Sequence, residues 1–370
     1  MFGWNAQRKT LNARGSAWVG WLLLGLCLLP TAYTPQPASA QQTTLTVLTH
    51  ESFSLDKKLI AQFEKESGIR LRFLKAGDAG ETLNRAILTK AAPVADVLYG
   101  FDNSMLSKAL AAGILEPYRS PQLANLRSEF VLDQTYRAFP VDYGYVALNY
   151  DKAYFKGKPL PQAFTDLARP EFAKLLVVEN PATSSPGLAF LLASIAAFGE
   201  EGYLGFWEDL RKNGVRVEKG WSEAYNVAFS KNGGDRPLVV SYATSPAAEL
   251  FYADKKPSEP PTGNLLLPKS SFLQIEFVGI LKGNKHPAAA RKFVDWLLSK
   301  PVQENIPTQM WVYPTRKDAA LPEVFKWAEV PKEPAKLSPQ QIARDAERWI
   351  REWTQVVLQG QTANSVKAKR

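Results

Sequence analysis

The sequence predicts an α/β protein of two lobes with a cleft between them. Three observations predict it: strand and helix patterns alternate from Thr43 onward, the alternation occurs in two blocks, and 45% of the 370 residues are hydrophobic. Composition rules out a disordered, collagenous or disulfide-stapled chain, since the one cysteine is Cys27.

The first block opens with Leu45 to Thr49 as a buried strand. Leu55, Leu59, Ile60 and Phe63 then fall at helical spacing behind a Ser54 cap, and Gly68 stops them. Ile69 to Leu74 alternates as a second strand, Glu81 to Ala91 reads as a helix, Val94 to Tyr99 as a strand and Ser104 to Ala112 as a short helix. Short connections between such elements predict a parallel sheet.

The second block has strands at Tyr145–Tyr150, Leu175–Val178, Val215–Val217 and Leu238–Tyr242, with helices at Leu188–Phe198, Tyr203–Lys212 and Ser222–Phe229. Pro257, Pro260, Pro261 and Gly263 mark a surface loop over residues 254–264. A strand at Ile275–Leu281 and a helix at Pro287–Leu298 follow. Ile342, Ala346, Trp349, Ile350, Trp353 and Val357 then share one face of a long C-terminal helix.

Residues 1–40 read as a cleaved export signal. Arg8, Lys9 and Arg14 precede the apolar run Ala17–Leu29, and Ala38-Ser39-Ala40 supplies an A-x-A site. That run is too short for a membrane span, which takes about 20 residues, and Pro30 ends it. The net charge of +9 falls when the three basic residues leave, and Lys367, Lys369 and Arg370 carry part of the rest, so no basic stripe argues for nucleic acid. The chain from Gln41 has no cysteine, hence no thiol nucleophile and no Cys-ligated metal. Two histidines, His50 and His286, make a His-based zinc site unexpected, and no H-E-x-x-H, G-x-S-x-G or P-loop motif occurs.

Aromatic and polar residues cluster in turns at the strand ends, where open α/β sheets bind ligands. These include His50-Glu51, Phe101-Asp102-Asn103, Asp142-Tyr143-Gly144-Tyr145, Gly220-Trp221-Ser222-Glu223-Ala224-Tyr225, Ser241-Tyr242 and Trp311-Val312-Tyr313-Pro314. For Tyr143 packing is the commoner role, whereas Trp221 and Trp311 sit in polar turns where stacking on a ligand and packing are both open. Trp and Tyr faces suit a flat or cationic ligand. Glu51, Asp78 and Asp102 are candidate acidic partners, and equally candidate caps. In Thr183-Ser184-Ser185-Pro186, Ser185 caps a helix, and the three hydroxyls with the free helix N–H groups also suit a phosphate.

Taken in order, Phe101-Asp102-Asn103, Asp142-Tyr143-Gly144-Tyr145, Thr183-Ser184-Ser185-Pro186-Gly187-Leu188, Gly220-Trp221-Ser222-Glu223-Ala224-Tyr225, Thr244-Ser245-Pro246-Ala247 and Trp311-Val312-Tyr313-Pro314 carry a resemblance. From Leu45 to about Val356 the chain resembles the exported thiamine-binding proteins of ABC importers, within the type 2 periplasmic binding proteins. The resemblance implies that fold, with two crossover segments near Asp142 and Glu276: lobe 1 from residues 41–142 and 277–360 and lobe 2 from 143–276; the basic tail at 361–370, which follows polar residues with no apolar partner, is expected to be disordered. It implies a periplasmic monomer that binds thiamine or its phosphates without catalysis or cofactor and delivers them to a permease and its ATPase. The implied ligand residues are His50, Asp78, Asp102, Asn103, Tyr143, Thr183, Ser184, Ser185, Trp221, Tyr225, Tyr242 and Trp311. Within that set Asp78 meets the aminopyrimidine, Ser184 the phosphate side, and Trp221, Tyr242 and Trp311 enclose the ligand.

Two positions depart from the family pattern, His50 and Ala248 each standing where a Tyr is expected; Tyr252, one turn on, is a candidate replacement. A protonated His50 repels a thiazolium, so affinity is expected to fall below about pH 6.5. The alternatives are a receptor for a polyamine, which wants several carboxylates, or for ferric iron, which wants adjacent tyrosines such as Tyr143 and Tyr145. A thiamine-degrading transferase of related fold would need a cysteine nucleophile that the exported chain lacks.

Overall fold

The computed structural model describes residues 42–255 and 257–370. The signal segment with Cys27 lies outside the described residues.

Strand β1 (Thr43–Thr49) pairs in parallel with β2 (Ile69–Lys75) on one side and β3 (Val97–Asp102) on the other. Between them run α1 (Lys57–Ser67) and α2 (Ala79–Leu88). Helix α1 starts later than Ser54 predicts: the Asp56 carboxylate accepts from the Lys58 N–H at 2.6 Å and sets the first turn. Helix α2 is capped in the same way by Asp78, which accepts from the Ala79 N–H at 2.6 Å.

Next come the 13-residue β4 (Phe139–Asp151), β5 (Leu176–Glu179), α3 (Ser185–Lys212), β6 (Arg216–Glu218), β7 (Leu238–Tyr242), α4 (Ser245–Tyr252) and β8 (Phe272–Leu281). The chain ends with α5 (Pro287–Leu297), α6 (Lys300–Gln309), α7 (Pro339–Val357) and α8 (Ala363–Lys367). Along the sheet the order is β2-β1-β3-β8-β4-β7-β5-β6, with three short strands attached at the side.

The sheet is mixed, not parallel as the alternation predicts. β3–β8, β8–β4 and β4–β7 are antiparallel, whereas β1 with β2 and β3, and β5 with β6 and β7, are parallel. The antiparallel pairs arise where β4 and β8 run from one parallel block to the other. β4 joins β8 through residues 139–146 and β7 through residues 146–150. Central strands buried on both faces read as apolar runs, as Val97-Leu98-Tyr99 and Leu238-Val239-Val240 do.

The predicted pair of helices at 188–198 and 203–212 is one axis broken at Gly199, whose φ of 68° leaves the helical region. Its buried face packs on α7, where Trp353 meets Trp207 edge to face at 5.5 Å. Each such fully buried aromatic contributes on the order of 2–3 kcal/mol. Helix α7 opens with a capping box in which Ser338 and Gln341 satisfy each other's backbone N–H.

The basic end is not loose, as its polar sequence predicts. Thr362 caps α8, Ala363 and Val366 are buried, and the Arg370 guanidinium donates to Glu352 at 2.9 Å. Two small apolar residues a turn apart supplied the docking face that charge counting hid.

Candidate functional site

Between the two parallel blocks lies a cavity of about 450 Å³, within the range of small-molecule sites. A larger groove of about 570 Å³ between α2 and α7 is lined mainly by apolar side chains, with Lys108 and Glu347 its only charges. Convergent polar groups distinguish the first cavity. Its wall includes His50, Asp78, Ser185, Trp221, Tyr225, Tyr242, Glu276 and Trp311, and among the described residues no Lys or Arg lines it.

The aromatic side is tied together by stacking and hydrogen bonds. Trp221 stacks on Tyr225 at 5.0 Å and 12°, and its indole N–H donates to the Ser241 hydroxyl at 2.8 Å. The Tyr225 hydroxyl donates to Glu249 at 2.9 Å, and that of Tyr242 to the Gln274 carbonyl oxygen at 3.2 Å. Trp221 opens a short helical turn that widens into a π-helical turn at Ala224–Ala228, a local distortion common at functional sites. Across the cavity Trp311 adopts φ of 58°, rare for a bulky residue, and stacks on Phe325 at 5.9 Å. Thr244 donates to the Trp311 carbonyl at 2.5 Å, which helps hold that conformation.

Asp78 joins the two sides. While one oxygen caps α2, the other accepts from the Trp221 N–H at 3.0 Å. Burial raises its pKa; the hydrogen bonds from Trp221 and Ala79, with the Ser184 hydroxyl, pull it back only in part. Two more ties cross here: the Gly80 N–H donates to the Thr183 carbonyl at 3.0 Å, and Lys219 pairs with Glu81 at 2.9 Å. A Cβ on Gly80 would sit 2.7 Å from the Thr183 oxygen, so only glycine permits this approach.

At the cavity floor His50 faces Glu276, with Nε2 3.5 Å from Oε1. Gly100, at φ of 94°, makes room for the imidazole; a Cβ there would lie 2.2 Å from its Cδ2. Burial pulls the His50 pKa down, but the Glu276 carboxylate, with Asp78 adding, outweighs it and leaves the imidazole above its ordinary value against the push of Lys75. Glu276 is held below its ordinary value: burial opposes this, and His50 with hydrogen bonds from Asp142 and Tyr99 overcomes it. Burial and the Glu276 charge drive the Asp142 pKa far up. An imidazolium at His50 thus faces a counter-charge, Glu276, inside the cavity.

Seven of the twelve predicted residues line the cavity: His50, Asp78, Ser185, Trp221, Tyr225, Tyr242 and Trp311. Asp102, Asn103, Tyr143, Thr183 and Ser184 do not. Asp102 accepts from the Ser104 N–H and hydroxyl, and Asn103 ties to the Leu273 and Ile275 backbone, so both brace the turn after β3. Tyr143 packs between Phe130 at 4.6 Å and Tyr313 at 5.2 Å. Thr183 donates to the Lys219 carbonyl. Ser184, not Ser185, holds the cap position of α3, and its side chain makes no capping bond there. Sequence reasoning passed over Glu276, although a lone carboxylate inside the apolar strand Phe272–Leu281 is itself a signal.

A family model described as bacterial extracellular solute-binding protein matches residues 92–332. The chain is also 32% identical over 340 residues to the thiamine-binding periplasmic protein of Salmonella typhimurium, covering 90% of this chain and 97% of that one. This chain belongs to the bacterial extracellular solute-binding proteins. Among solved structures, a periplasmic thiamin binding protein matches this solute-binding protein with a TM-score of 0.77 and 30% identity, over 86% of this chain and 98% of that one. Iron-bound HitA from Pseudomonas aeruginosa matches with a TM-score of 0.68 and 22% identity over 84% and 99%, a likeness of fold. The solute-binding protein has the type 2 periplasmic-binding-protein fold and is periplasmic.

Proposed function

We propose that this solute-binding protein captures thiamine in the periplasm and delivers it to the permease and ATPase of an ABC importer, as a monomer without catalysis or cofactor. The observation that carries the reading is one cavity that combines the faces of Trp221, Tyr225, Tyr242 and Trp311 with the carboxylates of Asp78 and Glu276 and, among the described residues, has no lysine or arginine. Aromatic faces stack on the pyrimidine and thiazolium rings and attract positive charge. Asp78, buried and joined to both sides of the cleft, would gain strength toward the aminopyrimidine as closure excludes water. The likeness to thiamine-binding periplasmic proteins over nearly the whole chain supports the same ligand.

A wall bearing three carboxylates, one imidazole and no Lys or Arg favours the unphosphorylated vitamin over its phosphates. Tyr143 and Tyr145, the pair that a ferric site would use, lie outside the cavity wall, which disfavours iron. The test is a calorimetric titration of the ligand-free chain from Gln41 with thiamine, both its phosphates, spermidine and Fe(III). One-to-one binding of thiamine tighter than of the diphosphate is expected. Silence toward every thiamine form, with a heat from spermidine or iron, would overturn the assignment.

A further inference from the structure

Glu276 stands at the centre of the sheet, where β8 lies between β3 and β4. Its register partners are Asp102 on one side and Asp142 on the other, so three carboxyls lie side by side across three strands. Directly paired residues share one face of a sheet. Only Glu276 of the three reaches the cavity wall.

The surroundings favour the charged form of that one carboxyl. The Tyr99 hydroxyl lies within hydrogen-bond distance of both Glu276, at 3.1 Å, and Asp142, at 2.5 Å, and the Gln274 amide donates to Glu276 at 3.4 Å. Gln274 also receives the Tyr242 hydroxyl, so the carboxylate is tied to the aromatic wall. The one basic group facing it is His50, from the end of β1. His50 is buried, and Nε2 has no hydrogen-bond partner of good geometry, only the 3.5 Å ion-pair approach to Glu276. The other charged groups that act on the imidazole are Asp78, ahead of α2, and Lys75, at the end of β2.

An imidazolium held loosely by a carboxylate inside a ligand cavity is a replaceable counter-ion. A fixed cation entering beside Glu276 brings a second positive charge to a buried carboxylate already facing His50, and the mobile charge, the proton, is the one that leaves. We propose that Glu276 is the specificity-determining counter-charge of the cleft, and that a thiazolium entering beside it displaces the His50 proton to solvent, so that the site selects a permanent cation and exchanges it for a proton. This rests on the thiamine reading and goes beyond it in naming what recognises the ring charge and how binding is coupled to pH. Burial of the pair strengthens the attraction, since charges in a water-poor cavity interact more strongly than at the surface. It also means that a neutral ring of the same shape leaves the His50–Glu276 pair intact and gains nothing from it.

The experiment compares thiamine with deazathiamine, in which carbon replaces the thiazolium nitrogen and the ring is neutral. Calorimetry on the full chain from Gln41, in buffers of different ionisation heat between pH 6 and 8.5, reads affinity and protons released together. For the unaltered protein we expect thiamine to bind at least about tenfold tighter than deazathiamine, with up to about one proton released per thiamine near neutral pH and none per deazathiamine. Glu276→Gln, nearly isosteric, should bring the two affinities together and abolish proton release. His50→Tyr should also abolish proton release while keeping the preference for the cation. A merely structural role for Glu276 would lower both affinities by the same factor. Equal affinities for the two ligands in the unaltered protein, or no proton release at any pH, would overturn the inference while leaving the thiamine receptor standing; silence toward both ligands would overturn the receptor reading and this inference with it.

Discussion

The Asp78 carboxylate accepts from the Trp221 N–H at 3.0 Å and from the Ala79 N–H at 2.6 Å, so one side chain caps a helix on one side of the cleft and holds the backbone of an aromatic wall residue on the other. A charged acceptor of this kind contributes about 1.5–3 kcal/mol. Asp78→Asn keeps an oxygen for the cap and loses the charge. Its NH2 would face one of the two N–H donors, so we expect thiamine affinity to fall roughly ten- to hundredfold and the melting temperature to fall as well, the Asn oxygen retaining only one of the two bonds. Calorimetry and thermal melts check this, and an unchanged affinity would remove Asp78 from the site.

Gly80 tests closure separately from ligand chemistry, since it touches no cavity group and its N–H meets Thr183 across the cleft. In Gly80→Ala the methyl would press on the Thr183 carbonyl, 2.7 Å away, and hold the two sides apart. The expected result is a faster ligand off-rate in stopped-flow fluorescence, with a larger radius of gyration in solution scattering. An off-rate like that of the unaltered protein would show that this approach is not needed for closure.

How far the sequence could be read depends on the range of the interaction. The strands and helices follow from local periodicity, and Leu238–Tyr242 matches its expected limits. The antiparallel crossings of β4 and β8 do not, because strand partnership is set by residues more than a hundred positions apart, as in Tyr145 with Leu273. The aromatic wall was legible in part, since Trp221 and Trp311 interrupt polar turns at strand ends, although packing such as that of Trp221 on Tyr225 was equally open there. Asp102, Asn103 and Tyr143 look alike in sequence yet brace or pack, because whether a strand-end side chain faces the cavity is a matter of face and bulge. Glu276 was hidden by its apolar neighbours, and the buried Val366 by its basic ones.

Tyr252 fills space beside Ala248 in the cavity wall, and the Trp311 indole N–H lies 3.4 Å from its hydroxyl. The hydroxyl in turn donates to the Thr308 carbonyl at 3.3 Å. Tyr252 is therefore positioned to supply the aromatic wall that Ala248 lacks. Tyr252→Ala should weaken thiamine binding by about tenfold, and adding Ala248→Tyr should recover most of the loss. If the double variant binds no better than the single one, the two positions do not substitute for each other.

Asp102 gives the fold a pH dependence of known sign. Burial raises its carboxyl to about 7, with Glu276 adding and the Ser104 hydrogen bonds opposing, whereas unfolded it titrates near ~3.9. Between those values the folded state holds more protons than the unfolded one. The stability contributed is complete below pH ~4 and is lost as pH rises through about 7. Asp102→Asn keeps an acceptor for Ser104 and removes the titration. Its melting temperature should exceed that of the unaltered protein at pH 8 and approach it at pH 5, and a difference independent of pH would refute the assignment.

Helix α8 closes the chain onto α3 and α7. Lys367 and Arg370 meet Glu201 and Glu352, while Val366 is buried beneath them. The pair of Lys367 with the exposed Glu201 contributes little, whereas Glu352 is buried and depends on its partners, so docking rests on the apolar contact together with Arg370. Val366→Ala is expected to cost about 1–3 kcal/mol in a urea titration, and removal of residues 361–370 more, because Glu352 then loses Arg370 inside a closed surface. Thiamine affinity should stay the same in both, since no residue of α8 lines the cavity. A truncated chain with an unaltered urea midpoint would mean that the terminal residues are the loose basic tail their composition suggests.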